Sequence, residues 1–295
     1  MIKQFDGWIS IDKPCGVTSR KTLNDFNRIF GVKKAGYAGT LDPFASGVLP
    51  LAVGKATKTL EYFMEIDKEY CFTIKFGLHT DSLDITGNIL ETRETNITRN
   101  HLEAILDEFT GIIDQTPPKF SAIKINGRRA YDMARNNEEF EVKSRKVEIF
   151  EINLVDFDYQ KQEANIWVRC GKGTYIRSLS VQIAERLGTI ATTIALHRKR
   201  FGVFNENNTF SLEKLSFLLH NANLEGCIFP VDYVLDDIPA MQISELEAKK
   251  LLYGQSLERS SDSDLPKVRL LCSERIIAIG ELYSNKIKPL KILEN

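Results

Sequence analysis

Along this chain the apolar positions keep two different rhythms, and the changes between them divide it into strands and helices. "GWISID" at 7–12 reads as a short strand, and from Thr18 to Phe30 the residues Leu23, Phe26, Ile29 and Phe30 fall on one face of a helix. A glycine-rich stretch follows, and then a helix expected over 57–65. Strict alternation of Tyr70, Phe72, Ile74, Phe76 and Leu78 predicts a strand from Glu69 to Leu78 with one buried face, and Tyr70 belongs to that face. Thr98 is placed to cap a helix running to Phe109, with Gly111 near its stop. Strands are expected over 147–157 and 163–170; after them Ile176, Leu179, Ile183 and Leu187 make a helical stripe closed by Gly188, with Arg177 at its start and off the stripe.

Strands follow strands often enough here to predict an α/β (α+β) fold with a mixed, largely antiparallel sheet flanked by helices, in place of a doubly wound one. Near residue 238 the pattern restarts. "FPVDYVLDDIPAM" reads as a linker, Ser244 and Glu247 as a capping box, and "KVRLLC" and "IIAIGELY" as strands of a small β-rich unit. The expected division is 1–237 and 238–295, and at roughly 55 residues the second part is small enough to need packing on the first.

Composition narrows the class. With 295 residues and 43% hydrophobic content the chain buries a sizeable core, and no stretch approaches the roughly 18 apolar residues of a membrane span. "MIKQFDGWISIDKP" lacks the basic and then apolar pattern of a leader, so a cytoplasmic location is expected. Five scattered cysteines, with no C-x-x-C spacing, suggest neither a disulfide framework nor a zinc site. A net charge of −1 gives no global case for nucleic acid, so any such case is local. Residues 119–146 carry eight basic residues against four acidic ones, interleaved with Phe120, Tyr131 and Phe140, and "HRKR" at 197–200 is a second basic run. Solvated charge explains either run by itself, whereas flat rings among cations also suit stacked bases and phosphates.

The candidate chemistry sits in "GYAGTLDPFASG" at 36–47, where glycines and a proline surround one carboxylate, Asp42. A phosphate-binding loop is excluded, because the position five before Gly54 in "GKAT" is Leu49 and that before Gly171 in "GKGT" is Ile166. The zinc-deaminase pattern is absent, and no second acid such as Asp81 or Asp84 can be placed beside Asp42 from sequence. The proline keeps Asp42 extended while Gly39 and Gly47 permit tight turns. Such an aspartate serves either as a covalent nucleophile or as a turn residue, and the residues alone leave both open.

The loop resembles the signature of the TruB-type tRNA pseudouridine-55 synthases. "GWISIDKPCGVTS" is similar to that family's K-P strand and turn, "GTLDPFASGVLPLAVGKATK" to its catalytic loop and "KEYCFTIKFGLHTDSLDITG" to its tyrosine-bearing strand. "QTPPKFSAIKINGRRAYDMAR" resembles its RNA-gripping thumb, about 115–146 here, and "CGKGTYIRSLSVQIAERLG" its arginine helix. The segments keep the family's order over about residues 7–200, while the C-terminal part resembles a small PUA-like domain more weakly. The resemblance implies isomerisation of uridine to pseudouridine in the tRNA T loop, with base flipping and with no cofactor or metal. The implied partner is the tRNA T stem-loop; a monomer is the default expectation, and the composition predicts no membrane partner.

The resemblance also implies roles, each beside a plainer reading of the residue. Asp42 matches the catalytic aspartate, which by the resemblance attacks the uridine, with the sugar C1′ preferred over the ring and both open to the same carboxylate. Tyr70 matches a tyrosine that stacks on the target ring and helps remove its C5 proton, though it also reads as a core aromatic. Arg177 matches the aspartate's basic partner, though it also reads as an exposed helix cation. Lys13 and Pro14 match the K-P pair supporting the loop, and Leu196 an apolar residue of the uracil pocket; packing alone explains these as well. Tyr37 stands where the family usually has histidine, keeping a flat ring but presenting a phenol. A tRNA-binding and folding protein in which catalysis is secondary is the expectation of a different class. A guide-directed synthase is a third, which the bacterial-looking thumb disfavours.

Overall fold

A computed structural model describes residues 5–125, 127–136, 138–221, 224–260 and 263–294. Its main sheet runs in the order Gly7–Lys13, Ser46–Val53, Ala191–Phe201, Lys68–Phe76, Glu163–Cys170, Arg145–Asp158 and Gly111–Gln115, with Ala35–Tyr37 and Phe204–Asn205 as side branches. Every pairing in it is antiparallel except that of Ser46–Val53 with Ala191–Phe201. The mixed, largely antiparallel sheet is therefore as the sequence pattern predicts.

Local chemistry fixes the element ends. Thr18 caps the Ser19–Phe30 helix by accepting from the Lys21 N–H at 3.0 Å, and Gly31 ends it at φ +62°. Thr98 likewise caps Arg99–Leu106, which tightens into a 3₁₀ turn at Asp107–Phe109. In Lys68–Phe76 the period-two burial is strict, and this places Tyr70, Phe72, Ile74 and Phe76 against the helices Arg99–Leu106 and Ile176–Arg186. Leu78 does not continue that strand. Gly77 turns the chain at φ +79°, and Leu78–Thr80 leaves to pair with Ile89–Thr92. The helix expected over 57–65 is a 3₁₀ run, Gly54–Thr59, followed by one short α-turn, Leu60–Phe63.

The C-terminal part forms a five-stranded sheet, Ala240–Gln242, Leu265–Cys272, Arg275–Tyr283, Lys286–Ile292 and Leu257–Glu258 in that order, with the Ser244–Glu247 capping box in place. The segment read as a linker is anchored. Phe229 exchanges two backbone hydrogen bonds of 2.8 Å with Trp8, and Val234, Leu235 and Ile238 are buried with Trp8, Phe63, Ile279 and Leu293. An apolar cluster thus joins the small sheet to the large one, which is how so small a β unit covers its inner face. No described helix is long and apolar enough to cross a membrane.

Candidate active site

Asp42 is held by backbone bonds that reach across the chain. The Ser19 hydroxyl donates to Leu41 O and accepts from Leu41 N, both at 2.9 Å, and Asp42 O accepts from Ala45 N at 3.1 Å, closing a turn. Beneath the turn lies the Lys13 ammonium, wholly buried, which donates to Pro14 O at 2.9 Å and Val17 O at 2.5 Å and approaches Pro43 O at 3.5 Å. Burial pushes that ammonium down to about 8. The two glycines at the loop's arms are dictated by close approach as well as by φ. At Gly47, φ +100°, a Cβ would lie 2.3 Å from Arg198 O; at Gly39, φ +60°, it would lie 2.8 Å from the Phe201 ring.

Arg177 is 2% exposed, so its reading as an exposed helix cation fails. The first turn of Ile176–Arg186 is buried on nearly all sides, and Tyr175 N–H is met there by the Gln115 side chain at 2.7 Å. The Arg177 fork straddles the Asp42 carboxylate. Nη2 donates to Oδ1 at 3.0 Å, and Nε lies 2.9 Å from Oδ2 at an angle outside hydrogen-bond geometry, an electrostatic contact only. Its other bonds go to Ser82 O at 2.7 Å and Phe120 O at 2.9 Å, and Asp84 Oδ2 stands 3.4 Å from Nη1. Asp84, itself buried, is fixed by Ser82 and by the Thr86 N–H and hydroxyl. Burial raises the Asp42 pKa above the ordinary carboxylate value, while the Arg177 guanidinium opposes the rise and the Asp84 charge adds to it.

These groups line a cavity of about 570 Å³ with Tyr70, Leu196, Lys68 and Arg198 on its walls and the thumb residues Ser121–Ile123 along one side. The structure therefore brings Asp42, Tyr70, Arg177 and Leu196 together. Lys13 and Pro14 lie under the loop and outside the cavity lining. Tyr37 also lies outside it, on the Ala35–Tyr37 edge strand with the Arg20 guanidinium 6.0 Å from its ring centre. Of the thumb, residues 126 and 137 fall outside the described residues; within it Lys124–Ile125 pairs with Arg128–Arg129 and leads into the helix Ala130–Arg135, between irregular stretches at 116–123 and 138–144.

The second basic run is corrected by the structure. Arg198 is 1% exposed, His197 and Lys199 both contact Glu206 at 3.0 and 3.2 Å, and Arg200 binds Asp67 and Glu69 at 2.7 Å each. A bulge at Lys199 causes this: Arg198 lies opposite Tyr70 and Arg200 opposite Glu69, so the extra residue turns Arg200 outward and leaves Arg198 inside. Sequence reasoning missed Arg198, although alternation from Leu196 puts it on the same face. It also missed Lys68, whose buried ammonium donates to Ile66 O at 2.6 Å and lies 4.2 Å over the Phe201 ring. Burial lowers that group to about 8.

Comparison with known proteins follows the same lines. Residues 27–176 match the model of the TruB family pseudouridylate synthase N-terminal domain. A tRNA pseudouridine synthase B of Caulobacter vibrioides is 39% identical, covering 98% of this chain and 96% of its own length. One from Bradyrhizobium diazoefficiens is 40% identical over 98% of this chain and 86% of its own. Among solved structures, a Cbf5-Nop10-Gar1 complex superposes with a TM-score of 0.75 at 24% identity, covering 99% of this chain and 85% of that one. An H/ACA RNP bound to a substrate RNA containing 2′-deoxyuridine gives 0.74 at 22%, over 98% and 85%; at these identities the likeness concerns the fold.

Proposed function

The chain belongs to the TruB family of pseudouridylate synthases, and from that premise we propose that it isomerises uridine to pseudouridine in the T loop of tRNA with Asp42 as the nucleophile. One observation carries the reading: a partly exposed carboxylate is gripped by a buried arginine in a cavity walled by Tyr70 and Leu196. Asp42 attacks the nucleoside, most simply at C1′; the base detaches, turns between Tyr70 and Leu196, and rejoins through C5. A covalent intermediate divides one difficult exchange into easier steps. Since the product is an isomer of the substrate, the chemistry calls for no redox partner or group donor. The uridine is first extruded from its loop at a cost of a few kcal/mol, offset by stacking and backbone contacts from the thumb. Tyr37 props the opened loop from outside the cavity.

The same reading gives a catalytic domain over 1–237, a PUA-like RNA-binding domain over 238–295, a monomer and a cytoplasmic location. The test is tritium release from tRNA labelled at C5 of uridine. About one tritium per tRNA is expected from the wild type and none from Asp42→Asn. No release from either, with tRNA still bound, would give precedence to a tRNA-binding and folding role.

A further inference from the structure

Arg198 is the one buried guanidinium at the site that has no acid to answer it. Asp42 and Asp84 both face Arg177, whereas no described carboxylate pairs with Arg198. A cation at 1% exposure with no carboxylate beside it, held only by carbonyls and the Phe201 ring 5.1 Å away, is unfavourable unless something nearby uses the charge.

Its contacts identify what uses it. Arg198 Nε donates to Val48 O at 2.7 Å and Nη2 to Gly39 O at 2.9 Å, so the side chain clasps both arms of the loop that carries Asp42. On the neighbouring strand its directly opposed residue is Tyr70, and both side chains line the cavity. Cross-strand partners of this kind hold their Cβ atoms about 5 Å apart. A guanidinium has donors and no acceptor, so toward Arg198 the phenolic oxygen can only accept, and the phenolic hydrogen points elsewhere. The other groups about this pair are Asp42, the Cys170 thiol, and the ammonium groups of Lys13 and Lys68. The thiol is pushed up to about 11 by burial and stays protonated, and the two lysines donate to backbone carbonyls.

The geometry points to Arg198 as a positioning residue that serves Tyr70, supplying the buried charge that supports negative charge on the phenolic oxygen while it takes up the C5 proton. This rests on the synthase reading above. In the step itself the C5–H bond breaks and its electron pair becomes the C5=C6 double bond. The former C6=N1 pair settles on N1, and the proton arrives on the oxygen of Tyr70, which starts as a phenol because burial raises its pKa while Arg198 opposes the rise. As it takes the C5 proton the phenol releases its own hydrogen, by way of water, to N1, so the cycle closes without a co-reactant.

The experiment is single-turnover isomerisation of tRNA carrying either hydrogen or deuterium at uridine C5, with wild type, Arg198→Met, Arg198→Lys and Tyr70→Phe. Arg198→Met is expected to lower the rate about 10²- to 10³-fold, the loss seen when one preorganised charge is removed, with tRNA affinity within about threefold. Its isotope effect should exceed that of the wild type, because proton removal becomes limiting. Arg198→Lys keeps the charge and spares the fold; it should lose about tenfold, or 1.4 kcal/mol, with a smaller rise in the isotope effect. Combining Arg198→Met with Tyr70→Phe should add little to Tyr70→Phe alone. An active wild type and slow variants whose isotope effect stays at the wild-type value would overturn the inference, reducing Arg198 to a loop clasp. A wild type inactive on both tRNAs would sink the synthase reading and this inference with it.

Discussion

Two stretches of this chain look alike on paper, the basic thumb at 119–146 and the basic run at 197–200, yet the fold uses them in opposite ways. In the run, one arginine is buried and the other three residues are answered by Glu206, Asp67 and Glu69. In the thumb, Arg128 is forked to Glu138 and Lys146 lies 3.7 Å from Asp114, but the exposed Lys119, Lys124, Arg129 and Lys143 pair with no described carboxylate. Interior cations therefore bear on chemistry and stability, and surface cations on affinity for a polyanion. Local charge density does not separate the two; what does is whether acids stand across the strand.

The largest effect that would break this contrast comes from the interior. Arg177→Met is expected to reduce kcat by at least about 10³-fold while tRNA binding changes little, because it removes the charge facing Asp42. The pH profile gives a second check with a definite sign. Burial already raises the Asp42 pKa and Arg177 holds the rise back, so without Arg177 the loss of activity on acidification should begin at a higher pH. A variant that loses affinity and keeps its rate at saturating tRNA would place Arg177 with the surface cations instead.

Next in size is the thumb. Replacing Lys119, Lys124 and Arg129 together by Gln should weaken tRNA binding about 10- to 100-fold and flatten the plot of log affinity against log salt by nearly three, at slightly under one for each phosphate no longer neutralised. The rate at saturation should hold. Unchanged salt dependence in a filter-binding titration would count against the thumb as the element that meets the phosphates.

Arg200→Gln sharpens the comparison from the other side. It removes two partly buried ion pairs, so thermal unfolding should show a loss of about 1 kcal/mol with no change in the salt slope for tRNA. The smallest effect on stability is expected of Asp42→Asn. With its folded pKa raised, Asp42 disfavours the folded state above that pKa, and the penalty fades as pH falls from there toward the unfolded carboxylate value of about 3.9, below which it is gone. The variant should therefore be slightly more stable than the wild type at neutral pH and lose the gain in acid. Calorimetry at the two pH values decides it; a less stable variant at neutral pH would mean that the Arg177 contact outweighs the burial.

Much of this arrangement was legible in the sequence. Period-two alternation placed Tyr70 inward, and the proline after Asp42 with glycines at both arms announced a rigid loop. Other parts were hidden for local reasons. Gly77 stops an alternation that Leu78 would have extended, and nothing in the residue types tells a φ of +79° from a strand glycine. Arg177 escaped notice as a buried group because its partners, Ser82, Asp84 and Phe120, come from distant parts of the chain. Arg198 was hidden because it sits in a basic run that reads as solvated charge, and the bulge at Lys199 breaks the alternation that would otherwise have turned Arg200 inward with it. The strand Lys286–Ile292 was missed because Pro289 and alternating lysines mask its inward Ile287.

The clasp on the Asp42 loop also has a kinetic side. Gly39 and Val48 are bound by a side chain 159 and 150 positions later in the chain, and the loop's parallel neighbour belongs to the same late strand. Contacts of such separation form late in folding, since the intervening chain must first be ordered. During synthesis Asp42 leaves the ribosome long before the residue that gives its loop a shape. A nascent chain stopped before 191 would hold the whole signature "GTLDPFASG" and still lack a site.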